Sequence, residues 1–441
     1  MSVGAGEAAG ADVARDANAA VDRGRAIAAF LSGFGLLILL LTLQPFTGPM
    51  VVAEGETSSG NVVNQIGYVS LALIYGAAMF AFAERATLAR LLTSSWVVVF
   101  AVAALSLPQA LDSEAAFRGL LLAGFAMVLV VGILVLPWTE ARFARAATNA
   151  VLIVVLLVYA ALLLAPHLAI HGAEGVEGGH AGDWKGHLTH KNYAAPVFSM
   201  IAMFGIYAWR SGLKWRGAVI VLLSVVFVLN SGSKTTMGFL PVAVGLVLIG
   251  RLLGRPRLVL VMHAATVLLV GALTVGTVLS PALLQISASL NSDVTFTGRD
   301  EIWRFAIAHI GDRPWLGHGY LSFWQTPVVT QLEENFEASW DIRGIGSAHN
   351  TYLDAMLMFG ISGALVMIWC LMVQSLRNYV VAQADPDRRR FADLCAMIVM
   401  FMTYVGMLES FFLNRAEPLW LLFAFAVLGL ELARRMALRR S

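Results

Sequence analysis

The residues of this chain best suited to chemistry are scattered polar groups at the edges of long apolar runs. His349-Asn350 stands at the mouth of one run and Glu409 near the end of another. A histidine titrates near neutrality, so His349 can accept or orient a proton. A carboxylate inside an apolar run is a functional candidate by default, which brings in Glu409. Arg299 lies in Thr297-Gly298-Arg299-Asp300, where Thr297 with Asp300 fits a capping box and the residues after it fit an amphipathic helix on the outer face. Free amides in a first turn already favour an anion, and an arginine added there suits a phosphate. An arginine paired with Asp300 or Glu301 on a wet surface reads equally well from the local sequence.

Two further motifs place cations at apolar boundaries: Thr189-His190-Lys191-Asn192 and Asn230-Ser231-Gly232-Ser233-Lys234. The plainer reading of the first is a helix cap with a snorkelling lysine. His167, His171, His180, His187 and His190 share one glycine-rich loop, but no cysteine or acidic residue stands at ligand spacing, so no metal site is expected. Trp303, Trp315, Tyr320, Phe323, Trp324 and Trp340 crowd a second loop, where rings could stack on sugars or form an aromatic belt.

The elements that must position these groups are membrane helices. Of 441 residues, 59% are hydrophobic and 13% charged, and the mean hydropathy is +0.75. A soluble domain carries about 25% charge, so soluble enzymes, nucleic-acid binders and disordered scaffolds are excluded. Cys370 and Cys395, both in apolar runs, build no disulfide framework. Apolar stretches long enough for the bilayer lie near 26–46, 66–83, 92–107, 117–136, 147–166, 193–209, 217–230, 235–250, 258–280, 351–376, 392–413 and 418–433, about twelve spans in an all-α polytopic protein.

Every second loop is rich in arginine and lysine, which predicts that both termini are cytoplasmic. Nine basic residues then fall outside: Arg118, Lys185, Lys191, Lys234, Arg299, Arg304, Arg313, Arg343 and Arg415. Each runs against the orientation signal. Residues 1–25 read as a disordered cytoplasmic tail, 26–280 as spans one to nine, 281–348 as a large external loop, 349–433 as spans ten to twelve, and 434–441 as a basic cytoplasmic tail.

His349-Asn350, nine residues, then Gly360-Ile361-Ser362-Gly363 resembles the signature of the O-antigen ligase and Wzy-type polysaccharide polymerase superfamily. Thr297-Gly298-Arg299 with Ile302-Trp303, then Pro314-Trp315-Leu316-Gly317-His318-Gly319-Tyr320, is similar to its large periplasmic loop. Thr189-His190-Lys191-Asn192 and Ser231-Gly232-Ser233-Lys234-Thr235 resemble the subgroup that polymerises exopolysaccharide repeat units. The likeness runs from about His190 to Glu409, and spans one to five match only in hydropathy.

The resemblance implies a GT-C-like inverting glycosyltransferase of the bacterial inner membrane. Its active site would be periplasmic, its donor a glycan on undecaprenyl diphosphate, and it would need no metal or cofactor. A glycan acceptor and the bilayer are its expected partners, with a chain-length regulator as a further one. By the same resemblance, Arg299 matches the loop arginine thought to hold the diphosphate in ligases, and Lys234 stands where ligases carry a second arginine. A lysine keeps the charge and gives up the bidentate geometry. The expected site is catalytic His349, Arg299 and Glu409, with Lys234, His190, Lys191, Arg343 and Asn350 binding diphosphate or glycan.

Breaking a glycosyl–diphosphate bond develops charge on the leaving group, which fixed cations in a partly dry site stabilise. Three alternatives stand beside polymerisation. One is ligation to lipid A core or another acceptor. A second is transport of lipid-linked glycan, disfavoured because the bulk lies between spans nine and ten and no half-to-half similarity is visible. The third is a metal-dependent transferase using Glu54-Gly55-Glu56.

Overall fold

The computed structural model describes residues 3–47, 62–91, 94–173, 178–290, 296, 298–333 and 341–437. Among them there is no strand, only an isolated bridge between Ile170 and Trp184. We label the principal helices α1 (Val3–Leu41), α2 (Val62–Phe82), α3 (Ser94–Leu105), α4 (Ser113–Val135), α5 (Glu140–Leu164), α6 (Lys191–Arg210) and α7 (Lys214–Asn230). They continue as α8 (Lys234–Leu252), α9 (Pro256–Leu273), α10 (Pro281–Leu290), α11 (Arg299–Asp312), α12 (Thr351–Ile368), α13 (Arg389–Val405) and α14 (Pro418–Ala437).

Each of the twelve apolar runs contains a helix, and seven are long and apolar enough to cross a membrane on those criteria alone. The protein is therefore an all-helical, multi-pass membrane protein. Three boundaries depart from expectation. Residues 3–25 continue α1 rather than lacking structure, which suits their alanine content. The ninth run breaks at Thr274, after α9, and the expected loop opens with α10. The eleventh helix stops at Val405, so Glu409 lies in a turn and not within a span.

α13 and α14 form the centre. Every residue from Ala392 to Val405 is buried, as an element apolar on all sides must be inside a bundle. Contacts sort the helix ends. Arg210 and Arg251 both reach Asp393, at 2.6 and 3.2 Å, and Arg390 reaches Glu140 at 3.5 Å. The C-terminal ends of α6 and α8 and the N-terminal ends of α5 and α13 therefore share one end, the arginine end. The opposite end carries the 406–417 turn between the two central helices, together with residues 298–333 and 341–350.

Candidate functional site

The strap before α12 and the turn after α13 are laced together. Asn350 caps α12, its Oδ1 accepting from the amides of Tyr352 and Leu353, while its Nδ2 donates to the Met407 carbonyl at 2.8 Å. The Asn350 amide donates to Ser410 Oγ at 3.0 Å, and the Thr351 hydroxyl donates to the Glu409 carbonyl at 2.9 Å. Asn350 is 1% exposed and both ends of its amide are used. It holds the strap.

That lacing sets His349 beside Glu409. His349 sits in the left-handed region at φ 46°, a conformation costly for a non-glycine and concentrated at functional sites. Its Nδ1 lies 3.3 Å from Glu409 Oε2, and Arg299 Nη2 donates to Glu409 Oε1 at 2.7 Å. All three side chains stay partly accessible, at 15% for Arg299 and Glu409 and 29% for His349. One carboxylate therefore joins a histidine to an arginine that are 50 residues apart in sequence.

Arg299 is the first residue of α11, but the cap differs from expectation. Gly298 is the N-cap at φ 80° without a side-chain bond, and Asp300 accepts from Arg304 at 2.8 Å instead; Thr297 lies outside the described residues. α11 buries Ile302, Trp303, Ala306 and Ile310. The Trp303 indole donates to the Ala348 carbonyl at 3.1 Å, tying Arg299's helix to the strap.

Asp354, one turn into α12, completes the support. It accepts from the Trp324 indole at 2.7 Å and from the Ala348 amide at 3.1 Å. The Pro314–Tyr320 motif and the Gly360–Gly363 motif prove to be one feature. Gly360 breaks α12 at φ 68°, and His318 and Gly319 donate their amides to the carbonyls of Leu357 and Met358 at 2.6 and 3.1 Å, while Ile361 donates to Pro314 at 2.7 Å. A Cβ on Gly360 would fall 2.3 Å from the Trp315 carbonyl carbon, and one on Gly317 would fall 2.5 Å from the Gly360 nitrogen. Burial lowers the pKa of His318, whose Nε2 lies 3.0 Å from the His309 carbonyl oxygen. Of the loop aromatics, Trp303, Tyr320 and Phe323 are core, Trp315 is 68% exposed, and Trp340 lies outside the described residues.

The remaining candidates form a second cluster and an outlier. His190 caps α6, its Nδ1 accepting from the Asn192 amide, and Lys191 pairs with Asp183 at 2.6 Å. Asp183 packs against Gly232, where a Cβ would fall 2.5 Å from Oδ1, so both cation motifs meet across this carboxylate. Lys234 opens α8 and is exposed. The rings of His171, His180 and His190 approach within 5.1–5.9 Å, yet among the described residues no group of three histidine, cysteine or acidic side chains is set to hold a metal. Glu54 and Glu56 lie outside the described residues. Arg343 binds Asp341 through Nε and Nη2 at 2.9 and 2.8 Å, which holds that carboxyl below its usual range.

Tyr193 is the aromatic residue next to the His190–Lys191 motif. It is on the first turn of α6, 36% exposed, and the carboxylates of Glu417, Glu409 and Asp354 all act on its phenol. Sequence reasoning passed over Tyr193 and Ser410, since a tyrosine or serine in an apolar run carries no local signal of such contacts, and it gave Asp354 no role of its own.

The model of the O-antigen ligase family matches residues 218–368. No curated protein matches the chain. That stretch holds Lys234, Arg299, Arg343, His349 and the Gly360 break, and excludes His190, Lys191 and Glu409. Residues 218–368, the strap and its loop among them, therefore resemble an O-antigen ligase domain, and the match indicates a membrane enzyme of ligase or polymerase type.

Proposed function

We propose that the protein polymerises oligosaccharide repeat units carried on undecaprenyl diphosphate, as a GT-C-like, metal-independent and inverting transferase. Its active site would lie on the periplasmic face of the bacterial inner membrane, with both termini cytoplasmic. The observation that carries this reading is the single carboxylate, Glu409, bonded to both Arg299 and His349 in an accessible turn. Clustering of arginines at the other end supports the orientation. The Lys191–Asp183–Gly232 junction unites the two motifs that tilt the reading from ligase to polymerase.

The geometry fits a single displacement. With Nδ1 engaged by Glu409, Nε2 of His349 takes the proton of the acceptor hydroxyl. The hydroxyl oxygen attacks the anomeric carbon, the bond from that carbon to the phosphate oxygen breaks, and undecaprenyl diphosphate leaves with the electron pair. Arg299 gives one donor to Glu409 and has four more N–H groups for the leaving oxygens. Lys234 and Lys191 would supply further positive charge, with His190 as a hydrogen-bonding ring beside Lys191. A chain-length regulator would act on the same product.

The test uses purified protein in nanodiscs with lipid-linked oligosaccharide from its own host, with and without EDTA. A ladder of repeats that survives EDTA and vanishes in His349→Ala and Arg299→Ala is the expected result. Donor consumed only with a different acceptor would make the protein a ligase. Donor never consumed, with any acceptor, would overturn the assignment.

A further inference from the structure

The 406–417 turn carries a second cation at its far end, and nothing in the chemistry above uses it. Arg415 is held at φ 46° and its neighbour Leu413 at φ 48°. The turn is pinned there by the Tyr320 hydroxyl, which donates to the Leu413 carbonyl at 2.5 Å, and by the Tyr68 hydroxyl, which donates to the Ala416 carbonyl at 3.2 Å. Arg415 Nε lies against α4, 3.5 Å from where a Cβ on Gly119 would sit. The side chain is partly accessible, and among the described residues its guanidinium has neither a hydrogen bond nor an ion pair. Glu417 acts on it, and burial pushes that carboxyl up to about 7.

Two independent features therefore meet: a strained, pinned backbone and five N–H donors that the protein leaves unused. Six residues separate Glu409 from Arg415, which bounds their separation at about 22 Å. Tyr193, partly exposed on the first turn of α6, is acted on by both Glu409 and Glu417. A glycan of a few sugars joins a reacting hydroxyl at one end to a lipid-linked diphosphate at the other on this scale. We propose that Arg415 is the cation of a second diphosphate subsite, which holds the lipid-linked acceptor while Arg299 holds the donor. The proposal rests on the polymerase reading, because only then do both substrates carry a diphosphate.

The experiment compares two acceptors in nanodisc-reconstituted protein: the lipid-linked repeat unit and the same glycan freed of lipid and diphosphate. Arg415→Gly removes the guanidinium while suiting the left-handed backbone, and Arg415→Lys keeps the charge without the fork. For Arg415→Gly, KM for the lipid-linked acceptor should rise about tenfold or more with kcat within about twofold, and kinetics with the free glycan should not change. Arg415→Lys should fall between. Equal loss with both acceptors would place Arg415 on the donor or the chemistry and overturn the proposal, as would no change with either. Wild-type protein that joins no glycans with any acceptor would instead overturn the polymerase reading.

Discussion

Two of the carboxylates paired with arginines in this bundle, Asp393 at one end and Glu409 at the other, serve different ends. Asp393 is fully buried, accepting from Arg210 at 2.6 Å, Arg251 at 3.2 Å and Gln383 at 2.8 Å. It sits in the first turns of α13 and ties three helix ends together. Glu409 lies in an irregular turn, bonded to Arg299 and His349, with all three side chains in reach of solvent. A buried ion pair with its lone pairs used is a fastener. An accessible pair between a strap and a turn, beside a strained histidine, leaves donors over for a ligand. Exposure and backbone irregularity, rather than charge pairing, separate the candidate site carboxylate from the buried fastener.

The contrast breaks most visibly by mutation at the two ends. Arg299→Ala and His349→Ala should each cut polymerisation or transfer by at least about a hundredfold in the reconstituted assay, without moving the thermal unfolding midpoint. Asp393→Ala should do the reverse, costing about 3–5 kcal/mol of stability by leaving two guanidinium groups unpaired, seen as a lowered midpoint in detergent with folded protein still active. Loss of activity in a fully folded Asp393→Ala variant would erase the distinction. Gly360→Ala should lower activity about tenfold or more and expose the 313–320 loop to protease, because its Cβ has no room beside Trp315 and the alanine must hold φ 68°. Asp354→Asn sharpens the comparison further: about tenfold slower turnover is expected as the Ala348 amide loses a charged acceptor. The smallest effect is reserved for Arg343→Ala, whose exposed local pair with Asp341 predicts activity within about twofold of wild type.

The twelve helical runs were readable in the sequence because bilayer burial demands long apolar segments, and each contains a helix. Arg299, His349 and Glu409 were readable as polar residues kept where solvation disfavours them, and the structure brings these three together. Their mutual geometry was not readable, since it depends on which turn lies at the bundle centre. The same limit explains Asn350, whose sequence suggests a ligand contact and whose amide is spent on capping. It explains Glu409 as well: hydropathy continues the apolar run beyond Val405, where the backbone has already left the helix. Tyr193 stayed hidden because tertiary packing alone gives it charged neighbours.

The broken backbone of α12 has a consequence for biogenesis. A helix interrupted at Gly360 leaves the carbonyls of Leu357 and Met358 without intrahelical partners, and in a lipid environment such groups need substitutes. The amides of His318 and Gly319 supply them. Those residues are synthesised before α12, so the loop is available when the helix arrives. Insertion of this segment and docking of the loop are then one assembly step, and an enzyme whose loop failed to dock would be a substrate for membrane quality control before it was ever an inactive transferase.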